Sequence, residues 1–190
     1  RDLQDVDVNV DGITYAQGAA VLRQLVSYVG RDNFFKGLHQ YLTKHSYKNA
    51  TLSDLISELE AASGRDMLNW VNVWVEEAGV TTLRPKIEVD GDGAIASLSV
   101  VQEAFSPQAS LRPHRLVVAG YDLNEDGSKV ERVFSEELDV DGDSTAVVSA
   151  TGLRKPALVL VNDGDLAYAK VRMDDESLAF AIANISKFDD

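Results

Sequence analysis

The feature that most constrains this chain is a change of hydrophobic period near its middle. From Thr14 to about Ala78 the apolar residues recur at steps of three and four, and beyond Leu83-Arg84-Pro85 they alternate. Side chains at steps of three and four share a helix face, whereas alternate side chains share a sheet face. The two stretches therefore require different architectures.

In the first stretch, Tyr15, Ala19, Leu22, Val26 and Val29 gather on one helical face, and Gly30 is a stop. Phe34, Leu38, Tyr41 and Leu42 mark the buried face of a second helix. Thr51-Leu52-Ser53-Asp54 has the form of a capping box, with Leu52, Leu55, Ile56 and Leu59 behind it. Ser63-Gly64 closes that helix and Asp66 can cap the next. The last helix carries Trp70, Val71, Trp74 and Val75 before Gly79.

In the second stretch, Lys86 to Asp90 and Ile95 to Val100 alternate about the turn Gly91-Asp92-Gly93. Further strand candidates are Leu116 to Leu123, Lys129 to Phe134, Glu137 to Val140, Thr145 to Ser149, Ala157 to Val161 and Leu166 to Val171. Short strands at this spacing, with no helix between them, indicate an antiparallel sandwich. After Met173 the period turns helical again: Asp174-Asp175-Glu176 load a helix start with acids, and Leu178, Ile182 and Ile185 form one apolar stripe. The expected fold is thus α+β: a helical subdomain over 1–83, a small antiparallel β-sandwich over 84–172, and over 173–190 the first helix of a truncated domain. The opening Arg1-Asp2-Leu3-Gln4, without initiator Met or signal peptide, suggests a piece of a longer polypeptide.

Composition removes several function classes. With 190 residues the chain can bury a sizeable core. A net charge of −13 leaves no basic stripe for phosphates, which argues against nucleic acid and anionic membrane surfaces. No apolar run approaches the roughly 20 residues that cross a bilayer. Zero cysteines exclude disulfides and thiolate metal sites and fit a cytoplasmic setting.

Nucleophile and phosphate-loop motifs are missing. The histidines, His39, His45 and His114, have no metal-ligand spacing and read as surface or boundary residues. Asp122-x-Asn124-x-Asp126-Gly127 and Asp7-x-Asn9-x-Asp11-Gly12 imitate the first half of a calcium loop. The twelfth positions, Val133 and Gly18, lack the bidentate Glu such a loop needs. A hairpin turn explains the first segment. Trp70 and Trp74, one turn apart, read as a buried face before they read as a ligand-binding pair. Tyr15 is the sharper candidate. On the first turn of a helix, behind Gly12, its phenol is either a core aromatic or a donor aimed at a negative charge. Spacing alone favours the core.

The segment Asp11-Gly12-Ile13-Thr14-Tyr15-Ala16-Gln17-Gly18-Ala19 resembles the tyrosine motif, Tyr-x-Lys-Gly-Ala, of the aminopeptidase N family of zinc metallopeptidases. The likeness continues through Phe34-Phe35-Lys36-Gly37-Leu38, Ser63-Gly64-Arg65-Asp66, Trp70-x-x-x-Trp74, Arg112-Pro113-His114-Arg115, Gly120-Tyr121-Asp122 and Asp174-Asp175-Glu176-Ser177-Leu178. It is strongest toward the actinobacterial branch. The resemblance implies the C-terminal part of a thermolysin-like catalytic domain, a β-sandwich, and the start of a large helical domain. It implies a full-length enzyme that binds zinc through a His-Glu-x-x-His helix and a later Glu, all preceding this chain, and that releases N-terminal residues from peptide substrates. The fragment then carries no zinc and is inactive alone. It implies that Tyr15 donates to the oxyanion; Gln17 replaces the usual Lys and is assigned no role. A monomer is expected. The alternative is a non-catalytic scaffold or partner-binding module, suggested by the absence of any nucleophile or metal set in the sequence.

Overall fold

The structure is a computed structural model and describes residues 12–188. The chain divides between Ala78 and Gly79 into two compact units. This division falls ahead of the expected boundary at 83/84, because Thr82 and Leu83 already pair within the first strand.

The first unit is helical: α1 (Gly12–Val29), α2 (Arg31–Lys44), α3 (Leu52–Ser63) and α4 (Leu68–Val71), which runs into a π-helical turn at Asn72–Glu76. Gly30 joins α1 to α2 with φ 85°, which glycine reaches without a Cβ penalty. Thr51 and Asp54 form the expected capping box: Asp54 N–H donates to Thr51 Oγ1 at 3.3 Å, and Thr51 N–H donates to Asp54 Oδ2 at 2.8 Å. Gly64 ends α3 in the left-handed region, and Asp66 Oδ1 accepts from Leu68 N–H at 2.9 Å. The helices α2 and α3 meet closely at Gly37, where an added Cβ would lie 2.9 Å from Leu59 Cδ2 and 3.0 Å from the Glu58 carbonyl oxygen.

Three faces differ from expectation. On α2, Leu42, expected on the buried face, is exposed. The buried side of α1 runs through Gln24, Leu25 and Val29, while Tyr15 and Leu22 lie open to solvent. In the last helix Val73 is buried and Val75 is exposed, because the wide π turn rotates the face that follows Trp70. Trp70 and Trp74 are buried and stacked with ring centroids 5.9 Å apart, a packed face and not an open aromatic pair.

The second unit is a sandwich of β1 (Thr82–Val89), β2 (Ile95–Glu103), β3 (His114–Leu123), β4 (Val130–Val140), β5 (Ser144–Ala146), β6 (Leu158–Asp163) and β7 (Lys170–Val171). One sheet has the order β5-β2-β1-β7 and the other β4-β3-β6. Leu83, Leu98 and Val100 from the first sheet share one core with Leu116, Val118, Leu138, Val159 and Val161 from the second. The segments 129–134 and 137–140, expected as two strands, form the single strand β4. The final candidate shrinks to β7, which pairs with β1 in parallel, the exception in an otherwise antiparallel fold. Pro85 is tolerated within β1 because β7 pairs there only at Thr82 and Leu83, so no ladder donor is lost beyond them. Asn162 makes a bulge opposite β3 at φ 67°. Its side chain closes the following loop by accepting from Ala167 N–H at 2.7 Å and donating to the Ala167 carbonyl at 2.9 Å.

Helix α5 (Asp175–Asn184) belongs to this unit. Asp174 caps it by accepting from Ser177 N–H, and Ser177 Oγ in turn accepts from Val159 N–H of β6 at 3.0 Å. The helix presents Ser177 and Asn184 inward, and its apolar stripe of Leu178, Ile182 and Ile185 faces out at 48%, 69% and 73% exposure.

Candidate functional site

The candidate site is the first turn of α1. Tyr15 stands there with 73% of its surface exposed. The buried face of the helix passes through other residues, so the phenol contributes nothing to the core, and the core reading of Tyr15 gives way. Ala16, Gln17, Gly18 and Ala19 behind it are also exposed. A methyl group on Gly18 would meet nothing within 4 Å. The tyrosine therefore rises from a low, open surface that another molecular face can approach closely.

The electrostatics of this turn favour negative charge. The first-turn amides of a helix carry partial positive charge, and α1 has no acidic side chain in its first turn. A neutral phenol adds an O–H donor and carries no charge of its own. Each favours a negative charge placed against it. They supply neither a nucleophile nor a base.

The other candidates are dispersed. His39 is exposed, and His45 packs its ring against Tyr41 with centroids 5.4 Å apart. His114 contradicts the surface expectation, since it is completely buried. The local string Arg112-Pro113-His114-Arg115 gives no sign of this, because its partners lie elsewhere in the chain. Among the described residues no three His, Cys, Asp or Glu side chains group as a metal would need.

In the calcium-like segment at 122–127, one oxygen of each of three side chains accepts from a backbone N–H. Asp122 Oδ1 accepts from Ala157 N–H, Asn124 Oδ1 from Lys129 N–H and Asp126 Oδ1 from Ser128 N–H, at 2.8, 3.0 and 2.8 Å. The segment joins β3 to β4 as a hairpin loop. The similar segment at Asp7 to Gly12 lies largely outside the described residues.

One polar group that sequence reasoning did not single out is Tyr121. Its hydroxyl donates to Asp163 Oδ1 at 2.7 Å, and Arg132 Nη1 donates to the other carboxylate oxygen at 3.1 Å. Burial, followed by the adjacent carboxylate, pushes the Tyr121 phenol up to about 12. The arrangement joins β3, β4 and β6 and leaves the phenol occupied as a donor.

Comparison with known proteins bears on the whole chain. The Peptidase family M1 domain matches residues 1–74. The chain is 50% identical over 193 residues to aminopeptidase N of Streptomyces lividans, an alignment covering 98% of this chain and 22% of that protein. It is 25% identical over 188 residues to tricorn protease-interacting factor F2 of Thermoplasma volcanium, covering 99% of this chain and 21% of that one. Among solved structures, aminopeptidase A of Legionella pneumophila in complex with aspartic acid matches with a TM-score of 0.64 and 16% identity, covering 84% of this chain and 18% of that chain. At that identity the likeness is one of fold. The chain spans about a fifth of the length of these two relatives.

Proposed function

We propose, for a chain that belongs to the M1 family of peptidases, that the whole protein is a zinc-dependent aminopeptidase releasing N-terminal amino acids from peptides. In that enzyme Tyr15 is the oxyanion donor. The observation that carries this reading is the exposed phenol on an open first helical turn, inside the segment that matches the family domain. Hydrolysis of a peptide bond by water passes through a tetrahedral adduct whose former carbonyl oxygen is negative. A donor already in place stabilises that oxygen more than the ground-state carbonyl, which lowers the barrier.

In this reading the zinc ligands lie outside this chain. The described residues contain no grouping of three or more suitable side chains, and the three histidines stand apart in sequence. Zinc would be held by residues outside these 190. The chain alone is therefore inactive in this reading. The acidic balance, at −13, disfavours nucleic acid. Among the described residues no helix is long and apolar enough to cross a membrane. A cytoplasmic, monomeric enzyme is the reading we adopt. Residues 173–190 open a further helical domain in it, supported by the outward apolar stripe of α5.

Two measurements test this proposal. The purified 190-residue chain, supplied with zinc, is expected to hydrolyse no aminoacyl anilide and to retain no stoichiometric metal. Turnover with one zinc per chain would contradict the division of labour. The coding sequence upstream should contain His-Glu-x-x-His; if it does not, the chain is a scaffold or partner-binding module instead.

A further inference from the structure

We propose that the neutral imidazole of His114 is a latch holding the entry of the sandwich together, and that a single proton on it opens that latch. Its Nε2 lies 3.0 Å from Thr81 Oγ1 and 3.1 Å from Gln102 Oε1. His114 is 0% exposed, and Thr81, Gln102 and Arg112 are buried around it. The Gln102 side chain is oriented by its own contacts: Nε2 donates to the Gly142 carbonyl at 2.9 Å, and Oε1 accepts from Arg112 N–H at 3.0 Å. An oxygen already fixed as acceptor calls for a donor, so the network assigns the proton of neutral His114 to Nε2. Charging the ring means adding a second proton at Nδ1.

The segments joined in this way are distant in sequence. Thr81 stands immediately before β1, and its carbonyl accepts from Lys170 N–H at 2.9 Å. Gln102 lies in β2, and its N–H donates to the Asp143 carbonyl at 2.9 Å. Arg112 belongs to the connection between β2 and β3, and Gly142 to the turn between β4 and β5. One ring therefore sits where the first strand, the second strand, a connection and a turn converge.

A cation at this position is disfavoured. Burial, and then the Arg112 guanidinium beside it, lower the His114 pKa to about 3 from an ordinary value of 6.5. Arg112, from the connection, is the charged neighbour acting on the ring. Thr81 just before β1, Gln102 in β2 and Gly142 in the turn contribute neutral groups. The sign follows from linkage. The folded value is lower than the unfolded one, so the stabilisation is complete above pH 6.5 and is lost progressively as pH falls toward about 3. Over that window the closed latch excludes a proton that the open state takes up. Opening then becomes about tenfold more favourable per pH unit.

Amide hydrogen exchange on the chain tests this between pH 7.5 and 5.5, above its isoelectric point of about 4.6. After correction for intrinsic rates, the opening constants of the Arg112 and Lys170 amides are expected to stay level down to pH 6.5. They should then rise toward tenfold by pH 5.5, and in His114→Gln they should show no such rise. The His114 ring resonances in the wild type should not titrate across this range. This second readout decides the matter if the variant fails to fold. A ring that titrates near 6.5 while these amides remain protected, or an equal pH response in His114→Gln, would overturn the proposal.

Discussion

Tyr15 and His114 show how the same principles separate two polar aromatic groups. Tyr15 projects from a helix whose packing runs along another face, so replacing its hydroxyl should leave folding untouched. In the 190-residue chain, Tyr15→Phe is expected to shift unfolding free energy by less than about 0.5 kcal/mol, as for other exposed substitutions. Denaturant melts check this, and a loss of more than about 1 kcal/mol would mean the phenol serves packing after all. The sequence located Tyr15 through a motif and not through its period, because the period assigned it to the core. His114 was not legible at all. Its partners Thr81 and Gln102 lie 33 and 12 positions away, and no local pattern carries that information.

At the scale of elements, signals confined to a few neighbouring residues held. The Thr51–Asp54 box, the glycine at 64 and the cap at Asp66 each do what their chemistry dictates. Signals that depend on tertiary partners did not. The buried side of α1 includes Gln24, which an apolar count passes over, and the stripe through Tyr15 and Leu22 faces solvent. The residues 135–136 do not break β4, since its edge position tolerates polar side chains along its length. Helix α5 turns polar residues inward: Ser177 accepts from Val159 N–H of β6, and buried Asn184 donates to the Phe180 carbonyl within the helix. Gly37 offers a test at this scale. Alanine is the better helix former by about 1 kcal/mol, yet the added methyl must displace Leu59 and the Glu58 backbone. The clash should prevail, and Gly37→Ala is expected to lower stability by about 1–3 kcal/mol in chemical denaturation. A stabilised variant would show that α2 and α3 approach less closely than described.

At the scale of the whole molecule, the chain divides into two compact units near its change of period. The α+β class and the order of helices before strands were legible, because period reports which layers an element can bury. The parallel pairing of β7 was not, since two residues carry too little pattern to be read. The chain aligns along 98% of its length with an aminopeptidase N while covering 22% of that protein. The proposed role of Tyr15 is one it would play within the whole protein. The most direct measurement compares wild type and Tyr15→Phe full-length protein for zinc content and for kcat/KM on an aminoacyl anilide. Unchanged zinc with a loss on the order of 100- to 1,000-fold is the predicted result. Turnover within about twofold of wild type, at equal zinc, would contradict the account, since a lost oxyanion donor costs far more than that.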